Sequence, residues 1–427
     1  MHVSINSFLM KNNLIVIAIC GFLCFGGVTY AQDYDLVIKN GHVIDPKSGT
    51  DALNDVAIKD GKVARIAASI PGNGAKQVVN AEGMLVVPGL IDIHGHNFAG
   101  TRENSYLSDG LTAVDPDGYT FRVGVTTIVD CGGPGWKNIH IFKQNIIDPS
   151  KTRVLAFLNI VGEGMRGGAW EQDTTDMDAE ITAQAALKYK EHVVGFKVAH
   201  YSRRDWIPID RAVEAGNIAS MPVIIDFGGS MSFAPLRLRE LFFERLRPGD
   251  IYTHTFAELG GAREPIVEYE TRQFKPFVRE AQERGIIFDV GYGGASFDFR
   301  QALPALEAGF LPNTISTDLH KGSMNAAMKD MLNIMSKFLA MGVDLPKVIE
   351  MSTWEPAKVI QREMLGNLSE GGIADVAILG LRDGNFGFWD RNGYKINGDK
   401  RFECQMTIKE GKIVYDLNGI ADPVVLK

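Results

Sequence analysis

Residues 88–96 read Pro88-Gly89-Leu90-Ile91-Asp92-Ile93-His94-Gly95-His96, an apolar run that ends in two histidines. In a β-strand, residues i and i+2 lie on the same face, so the imidazoles of His94 and His96 would point the same way. Two neutral imidazoles side by side are a common arrangement of metal ligands, and Gly95 between them leaves room for an ion. The alternative is a pair of solvated loop histidines.

Similar apolar runs recur through the middle of the chain and alternate with amphipathic segments. With the first run, they cover residues 85–96, 125–131, 154–161, 193–200, 222–227, 251–256, 286–290 and 314–319. The amphipathic segments include residues 177–191, 236–246, 274–284 and 299–308. Strands that alternate with helical connections in this way predict an α/β fold, a (β/α)8 or TIM barrel. Such barrels carry their chemistry where the strands end, so polar residues at these ends are the candidates for a site.

Both ends of the chain have a different pattern, made of strands and tight turns. The phrase Ile58-Lys59-Asp60-Gly61-Lys62-Val63 nearly returns as Ile408-Lys409-Glu410-Gly411-Lys412-Ile413, and Asn40-Gly41 between two apolar runs predicts a further hairpin. These units predict a small β-sandwich domain built from both chain ends, with the barrel inserted into it. The predicted organisation is a signal peptide (1–31), the N-terminal part of the sandwich (32–87), the barrel (88–359) and the C-terminal part of the sandwich (360–427).

The first 31 residues predict export. Met10-Lys11 precedes an apolar stretch over residues 14–28, and a small-x-small sequence ends at Ala31, which is typical of a secretory signal. The alternative is a membrane anchor, but the apolar stretch is shorter than the ~20 residues that a spanning helix needs. Cleavage after Ala31 would leave a periplasmic or secreted protein that has no membrane contact.

Composition narrows the choice of partners. The 427 residues are 45% hydrophobic and 22% charged, as in ordinary globular proteins. Lys and Arg number 44 against 52 Asp and Glu, and this net charge of −8, without a basic block, argues against nucleic acid. Four cysteines are too few for a disulfide scaffold. We expect a small-molecule substrate, and a homo-oligomer is compatible with these numbers.

Three further strand ends carry residues that suit a metal site: Lys197 on the fourth, His254 on the sixth and Asp318 on the eighth. A buried lysine is costly unless it is paired or neutralised. Lys197 would therefore either capture carbon dioxide, giving a carbamate that bridges two metal ions, or pair with a nearby carboxylate. His254 suits a neutral nitrogen ligand. Asp318 suits a ligand that also acts as the catalytic base and takes a proton from water.

Taken together, these residues resemble the amidohydrolase superfamily and its dihydroorotase-like members. The resemblance is carried by residues 35–41 and 88–96 with Lys197, His254 and Asp318, and it covers almost all of the chain after residue 31. Residues 293–297, 314–320 and 323–325 resemble more narrowly the amidohydrolase/deacetylase metallohydrolase branch. That branch is associated with deacetylation or with hydrolysis of esters of acylated α-hydroxy acids. The resemblance implies a binuclear zinc site and a carbamylated Lys197. We therefore expect one or two zinc ions per chain, depending on whether the second position is filled.

Two positions depart from the family pattern. Asp226 ends the fifth strand, where family members usually have histidine, and Tyr292 stands where the narrower branch tends to have histidine. Asp226 is predicted to be a ligand of the second metal; a salt bridge to a basic group and an empty second site are the alternatives. A carboxylate at this position would also favour harder ions such as manganese.

The resemblance implies a division of the ligands between two ions. The first ion would be held by His94, His96, Lys197 and Asp318, and the second by Lys197, Asp226 and His254. Substrate contacts are predicted at the following positions: Tyr201, Tyr292, Ser296 and His320.

The predicted function is a metal-dependent hydrolase of a small amide, cyclic amide or N-acyl substrate. Bound metal would lower the pKa of water from 15.7 to about 7 and so supply a metal-bound hydroxide as the nucleophile. Such a nucleophile attacks esters more readily than amides, so a carboxylic ester hydrolase acting on acylated hydroxy-acid esters is the first alternative. The second is a non-catalytic binding barrel. A serine hydrolase is disfavoured, because the chain contains no Gly-x-Ser-x-Gly motif.

Overall fold

A computed structural model of the chain describes residues 33–100, 112–203, 205–226, 237–259 and 263–422. The predicted signal peptide (1–31) lies outside the described residues, so export stays a prediction. Among the described residues, none of the helices combines the length and the apolar character that crossing a membrane requires.

The described residues form fifteen strands and eleven α-helices. In chain order, the strands are β1 (Tyr34–Asp45), β2 (Thr50–Lys59), β3 (Lys62–Ala67), β4 (Ala75–Asn80), β5 (Leu85–Pro88), β6 (Leu90–Gly95), β7 (Val125–Gly135), β8 (Arg153–Asn159), β9 (Val193–Val198), β10 (Val223–Ile225), β11 (Ile251–Tyr252), β12 (Ile287–Phe288), β13 (Val376–Trp389), β14 (Lys395–Lys409) and β15 (Lys412–Asp416). The helices are α1 (Pro116–Tyr119), α2 (Ile139–Phe142), α3 (Ala179–Lys188), α4 (Ile207–Ala219), α5 (Leu238–Glu240), α6 (Pro276–Glu283), α7 (Phe299–Glu307), α8 (Lys321–Met324), α9 (Met331–Ala340), α10 (Leu345–Glu350) and α11 (Trp354–Val359).

Strands β6 to β12 form one parallel sheet in sequence order, and residues 314–319 close it into a barrel. This eighth segment is bridged in parallel to the residue after β12, through Asp289 and Thr314, and to the end of β6, through Gly95 and Leu319. At the second bridge, the Leu319 amide donates to the His94 carbonyl at 3.1 Å. The predicted (β/α)8 barrel is therefore confirmed, with an eighth strand that is less regular than the other seven.

The barrel strands are apolar on both faces because each face is covered. Val129, Leu155 and Ile224 of β7, β8 and β10 belong to one buried cluster, to which α11 contributes Ala357. The neighbouring positions on the same strands, such as Ile128, belong to a second buried cluster that includes residues of α3 and α4. This arrangement is typical of parallel sheets, which are buried on both sides. It leaves the ends of the strands as the place for polar chemistry.

The second sheet has eight strands and takes them from both ends of the chain, as predicted. Its order is β15-β14-β13-β5-β1-β2-β3, and β4 pairs with β1. The two halves join where β5 pairs antiparallel with β13, with Leu85 opposite Leu379. The turn between β2 and β3 and the turn between β14 and β15 both bond to Ala374. Its amide donates to the Gly61 carbonyl at 2.9 Å, and its carbonyl accepts the Gly411 amide at 2.8 Å. Both ends of the chain therefore build one β domain around a shared apolar core.

The hairpin predicted at Asn40-Gly41 is wrong, because β1 runs through these residues as one strand. The register against β2 shifts between Ile38 and Gly41, so the pair forms a β-bulge. Asn40 has a φ of 59°, and its amide donates to the Asp55 carboxylate at 2.8 Å. A Cβ on Gly41 would lie 2.3 Å from Val86 of β5, so this position requires glycine. An Asn-Gly pair is thus compatible with a tight turn and with a β-bulge, and here the packing of β5 against Gly41 favours the bulge.

The long hairpin of β13 and β14 extends from the terminal sheet to the barrel helices. Helix α9 lies against β14, and the Ser336 hydroxyl on this helix accepts the Phe402 amide at 3.0 Å. The tip of the hairpin, residues 390–394, reaches the segment that follows β12.

Candidate metal centre

The barrel places all six predicted ligands at the ends of its strands. His94 lies in β6 and Lys197 in β9, and His96 comes directly after β6. The other three follow strand ends: Asp226 follows β10, His254 follows β11 and Asp318 lies near the end of the closing segment. His254 and Asp318 have positive φ angles of 55° and 50°, which are uncommon for residues other than glycine. The backbone therefore turns sharply at both residues, where their side chains point to the barrel mouth.

Three of these side chains converge closely enough to share one ion. The ligand atoms of His94, His254 and Asp318 all lie within 4.8 Å of one another. The Asp318 Oδ1 atom is 3.6 Å from the His94 Nε2 atom and 2.9 Å from the His96 Nε2 atom. His96 thus joins the group through the carboxylate of Asp318.

The remaining two predicted ligands are connected to this group through Lys197, which is fully buried. The Lys197 Nζ atom lies 3.0 Å from the Asp226 Oδ2 atom, 3.3 Å from the His94 Nε2 atom and 3.1 Å from the Cys131 sulfur. The Asp226 Oδ1 atom in turn lies 3.1 Å from the His254 Nε2 atom. The structure therefore brings all six residues into one connected cluster, and metal binding at each of them stays a prediction.

Electrostatics keep the histidine at the centre of this cluster neutral and the carboxylates ionised. Burial, followed by the nearby Lys197 charge, holds the pKa of His94 well below its usual range. Burial alone would raise the pKa of Asp226, but His254 and Lys197 lower it well below its usual range. The pKa of Asp318 is lowered as well, since His94 and His96 outweigh the effect of burial. Neutral imidazole and ionised carboxylate are the forms that bind a divalent ion.

Lys197 is a charged ammonium in this arrangement. Burial alone would lower the pKa of Lys197, but the Asp226 carboxylate and Cys131 outweigh it, so the pKa is raised. The ion pair between Lys197 and Asp226 corresponds to the alternative that the sequence left open for both residues. This ion pair is formed by the unmodified lysine, and carbamylation of Lys197 stays a prediction.

Hydrogen bonds orient the two buried histidines toward the ligand cluster. The Thr253 hydroxyl donates to the Asp289 carboxylate at 2.7 Å, so at 3.0 Å it accepts from Nδ1 of His94. Likewise, the His254 Nδ1 atom donates to the Gly291 carbonyl at 2.5 Å. The Nε2 atom of each ring therefore faces the cluster, where that of His94 lies 3.3 Å from the Lys197 Nζ atom and that of His254 lies 3.1 Å from the Asp226 Oδ1 atom. This is the arrangement found around metal-binding histidines, whose other nitrogen donates to a carbonyl or carboxylate system.

Several residues that shape the site were not predicted from the sequence. Asp289 is fully buried and accepts from the hydroxyls of Thr253, Thr314 and Ser316 at 2.6–2.7 Å. Gly132 has a φ of 90°, and a Cβ on it would lie 2.3 Å from the Lys197 side chain. Asp289 directly follows β12, and this position was the signal that could have identified it, whereas Gly132 lies within β7 and has no such signal.

The predicted substrate contacts have different surroundings. Tyr201 is half-buried and donates to Asp205 at 3.0 Å, and Ser296 is 7% exposed. The His320 ring caps α8 through Nδ1, and its centre lies 6.3 Å from that of His96. Tyr292 is 1% exposed and its hydroxyl bonds to the Trp389 carbonyl at 3.0 Å, so a substrate contact through this hydroxyl would require that bond to break. Of these four residues, His320 is the one that the structure places against a predicted ligand.

Comparison with known proteins gives consistent relatives. A deacetylase from Brucella anthropi is 33% identical over 367 residues, which cover 84% of this chain and 87% of the relative. Among solved structures, a crystal structure of an adenine deaminase matches with a TM-score of 0.80 and 30% identity, covering 90% of this chain and all of that chain. A crystal structure of a dihydroorotase matches with a TM-score of 0.76 and 28% identity, covering 89% of this chain and 99% of that chain.

A family model agrees with these relatives. Residues 293–414, which include the closing barrel segment with Asp318, match the model of the amidohydrolase family. The match to the deacetylase extends over most of both chains, so the relationship is not confined to one motif. The chain therefore belongs to the amidohydrolase family, on its dihydroorotase-like side.

Proposed function

We propose that this protein is a zinc-dependent hydrolase that removes an acyl group from a small N-acyl substrate, as a deacetylase does. Its family and relatives support the coarser description of a hydrolase acting on amide-like bonds. The finer proposal depends on one observation, the convergence of His94, His254 and Asp318 donor atoms within 4.8 Å.

The residues of this cluster fit a divalent ion. The Nε2 atoms of His94 and His254 face inward, and the carboxylates of Asp226 and Asp318 are ionised. Imidazole nitrogens and carboxylate oxygens are ligands that zinc takes in catalytic sites. As the first ion's ligands we propose His94, His96, Asp318 and a carbamylated Lys197, and as the second ion's ligands the same Lys197 with Asp226 and His254. A bound divalent ion would polarise the scissile carbonyl and lower the pKa of water.

The protein would move the proton through Asp318. Its Oδ1 atom is engaged by His96, whereas a Cβ added to Gly293 would lie 2.4 Å from its Oδ2 atom. Glycine at position 293 therefore keeps space open beside Oδ2. We propose that Oδ2 takes the proton from the attacking water and returns it to the leaving nitrogen, as general bases in hydrolases do.

The experiment compares matched substrates. The full chain, loaded with zinc, is assayed on N-acetylalanine, on the O-acetyl ester of lactate and on a cyclic amide, each with and without a chelator. We expect chelator-sensitive release of acetate from the N-acetyl compound, restored by zinc. Hydrolysis of the ester alone would replace the proposal with an ester hydrolase. Failure on a panel of amides and esters by zinc-loaded protein would favour a binding barrel.

A further inference from the structure

The tip of the β13–β14 hairpin bonds to the segment after β12, which we call the 291–298 segment. The Arg391 guanidinium donates to the Ala295 carbonyl at 2.7 Å. Asp390 accepts the Phe299 amide at 3.0 Å, at the start of α7. The side chain of Asn392 also donates to the carboxylate of Asp298. The terminal β domain therefore holds this barrel segment at several points.

A buried lysine strengthens the same connection from the side of α9. Lys337 is 1% exposed, and its Nζ atom donates to the Tyr292 hydroxyl at 2.6 Å, the Ala327 carbonyl at 2.6 Å and the Trp389 carbonyl at 2.8 Å. Three oxygen atoms from different parts of the chain therefore surround the Lys337 Nζ atom. The Tyr292 hydroxyl donates its own proton to the same Trp389 carbonyl at 3.0 Å. Lys337 and Tyr292 thus meet at one carbonyl at the end of β13.

The 291–298 segment also contacts two of the proposed metal ligands. The Gly291 carbonyl accepts the Nδ1 proton of His254 at 2.5 Å and so orients this imidazole. Gly293, with a φ of 59°, lies against the carboxylate of Asp318. Tyr292 lies between these two glycines. A shift of its ring would therefore be transmitted to the partner of His254 on one side and to the neighbour of Asp318 on the other.

We propose that Lys337, Tyr292 and the hairpin tip (residues 390–394) form a positioning device for the metal centre. They fix the 291–298 segment, so that His254 and Asp318 keep the geometry that an ion requires. This inference rests on the proposed function, since it assumes that His254 and Asp318 bind metal. None of the three touches the reacting atoms, and each acts through the backbone of the segment.

The test uses three variants and a matched control. Tyr292→Phe removes one hydroxyl, Lys337→Met removes the amino group from a side chain of similar length, and Arg391→Ala removes a bond made by an exposed side chain. The control is Ser336→Ala, because this hydroxyl ties the same helix to the same hairpin at Phe402, without contact to Tyr292. Each full-length variant is loaded with cobalt for its visible spectrum, titrated with zinc against a chelator, and melted.

We expect Tyr292→Phe and Lys337→Met to weaken zinc affinity by about tenfold or more, as mutation of groups behind metal ligands commonly does. Both should change the cobalt spectrum, which reports ligand geometry, and Arg391→Ala should do so more weakly. Ser336→Ala should lower the melting temperature while its zinc affinity stays within about twofold of the wild-type value, since its bonds do not reach the ligands.

The inference is overturned if Tyr292→Phe and Arg391→Ala fold with wild-type cobalt spectra and zinc affinities. These two variants decide the matter even where Lys337→Met does not fold. His254→Asn separates this outcome from failure of the proposed function. If His254→Asn loses metal while the positioning variants keep it, the function stands and the positioning role falls. A wild-type chain that binds neither zinc nor cobalt would contradict the proposed function itself.

Discussion

Lys197 and Asp226 face each other at the ends of neighbouring barrel strands, with Nζ 3.0 Å from Oδ2 and neither side chain more than 5% exposed. As ammonium and carboxylate, the two buried side chains balance each other's charge. A carbamate on Lys197 would reverse the charge on that side and place two anions together. Since like charges in a buried site are costly, such a modification would require a cation beside them.

Carbamylation and metal loading should therefore depend on each other. We expect protein prepared with zinc and bicarbonate to gain the mass of one carbon dioxide at Lys197 and to bind more zinc than protein prepared without carbon dioxide. Native mass spectrometry and elemental analysis of the same samples measure the two quantities. Lys197→Met is the control and should show neither change. Equal zinc content with and without bicarbonate would contradict the coupling.

Asp226→Ala should lower the metal content from near two ions per chain towards one. The carboxylate is proposed as a ligand of the second ion only, so the first ion should remain. Elemental analysis after dialysis measures the change, with Asp205→Ala as the matched control because Asp205 bonds to Tyr201 instead. A full metal content in Asp226→Ala would leave Asp226 with a salt-bridge role alone.

Asp318→Asn should retain metal better than it retains rate. The amide keeps one oxygen for the ion but cannot accept a proton from water. We expect kcat to fall by about 10²-fold or more, within the range typical of a lost general base. Metal content and kcat are measured on the same preparation. Parallel loss of both would assign Asp318 a structural role.

Thr253→Val should weaken zinc binding although Thr253 is not a proposed ligand. Its hydroxyl accepts from the His94 Nδ1 atom and donates its own proton to Asp289, and valine keeps the shape but removes both hydrogen bonds. Loss of such a partner typically costs 10–100-fold, so we expect about tenfold lower zinc affinity in chelator competition. Thr255→Val is the control, because this hydroxyl bonds to backbone carbonyls. Unchanged affinity in Thr253→Val would show that His94 needs no such partner.

Asp55 should make the stability of the β domain depend on pH. Burial alone would raise its pKa, but Lys39 and the amides of Asn40 and Ile70 outweigh it and lower the pKa below 3.8. A lowered folded-state pKa means that the stabilisation is present above pH 3.8, the unfolded value, and is lost as pH falls through the folded pKa.

Asp55→Asn should therefore lower the free energy of unfolding by about 2 kcal/mol at pH 7, the scale of hydrogen bonds to a charged group. The difference from wild type should shrink below pH 3.8. Urea unfolding at pH 7 and at a pH below 3.8 measures this difference in the free energy of unfolding. Asp51→Asn serves as a control at an exposed carboxylate of β2. A difference that is constant with pH would show that the charge of Asp55 is not what stabilises the domain.

The barrel and the convergence of the proposed ligands could be predicted because parallel strands bring their C-terminal ends together. His94, Lys197, His254 and Asp318 are far apart in sequence, yet each ends an apolar run, so their convergence follows from the fold class alone. The same reasoning placed Asp226 at the mouth. It could not say that Asp226 lies between Lys197 and His254, because this depends on side-chain geometry across three strands.

Other features depend on contacts that no local pattern reveals. Asn40-Gly41 has the residue types of a hairpin turn, and the approach of Val86 from another strand makes it a bulge. Tyr292 lies beside glycines near the site, which suggested a substrate contact. Its hydroxyl instead bonds to Lys337 of α9 and to Trp389 of the β13–β14 hairpin. The sequence does not specify where this helix and this hairpin pack against the barrel.

The irregular eighth strand gives the barrel a seam, and Asp318 lies beside it. Two isolated bridges and several backbone hydrogen bonds join this strand to its neighbours, and buried carboxylates add further bonds to it. Asp92 accepts the Thr317 amide at 3.0 Å from one side, and Asp289 accepts the Thr314 hydroxyl at 2.6 Å from the other. The strand that these carboxylates hold in place thus also carries the proposed base, Asp318. Closure of the barrel and the position of Asp318 therefore depend on the same two carboxylates, and loss of either carboxylate should impair both.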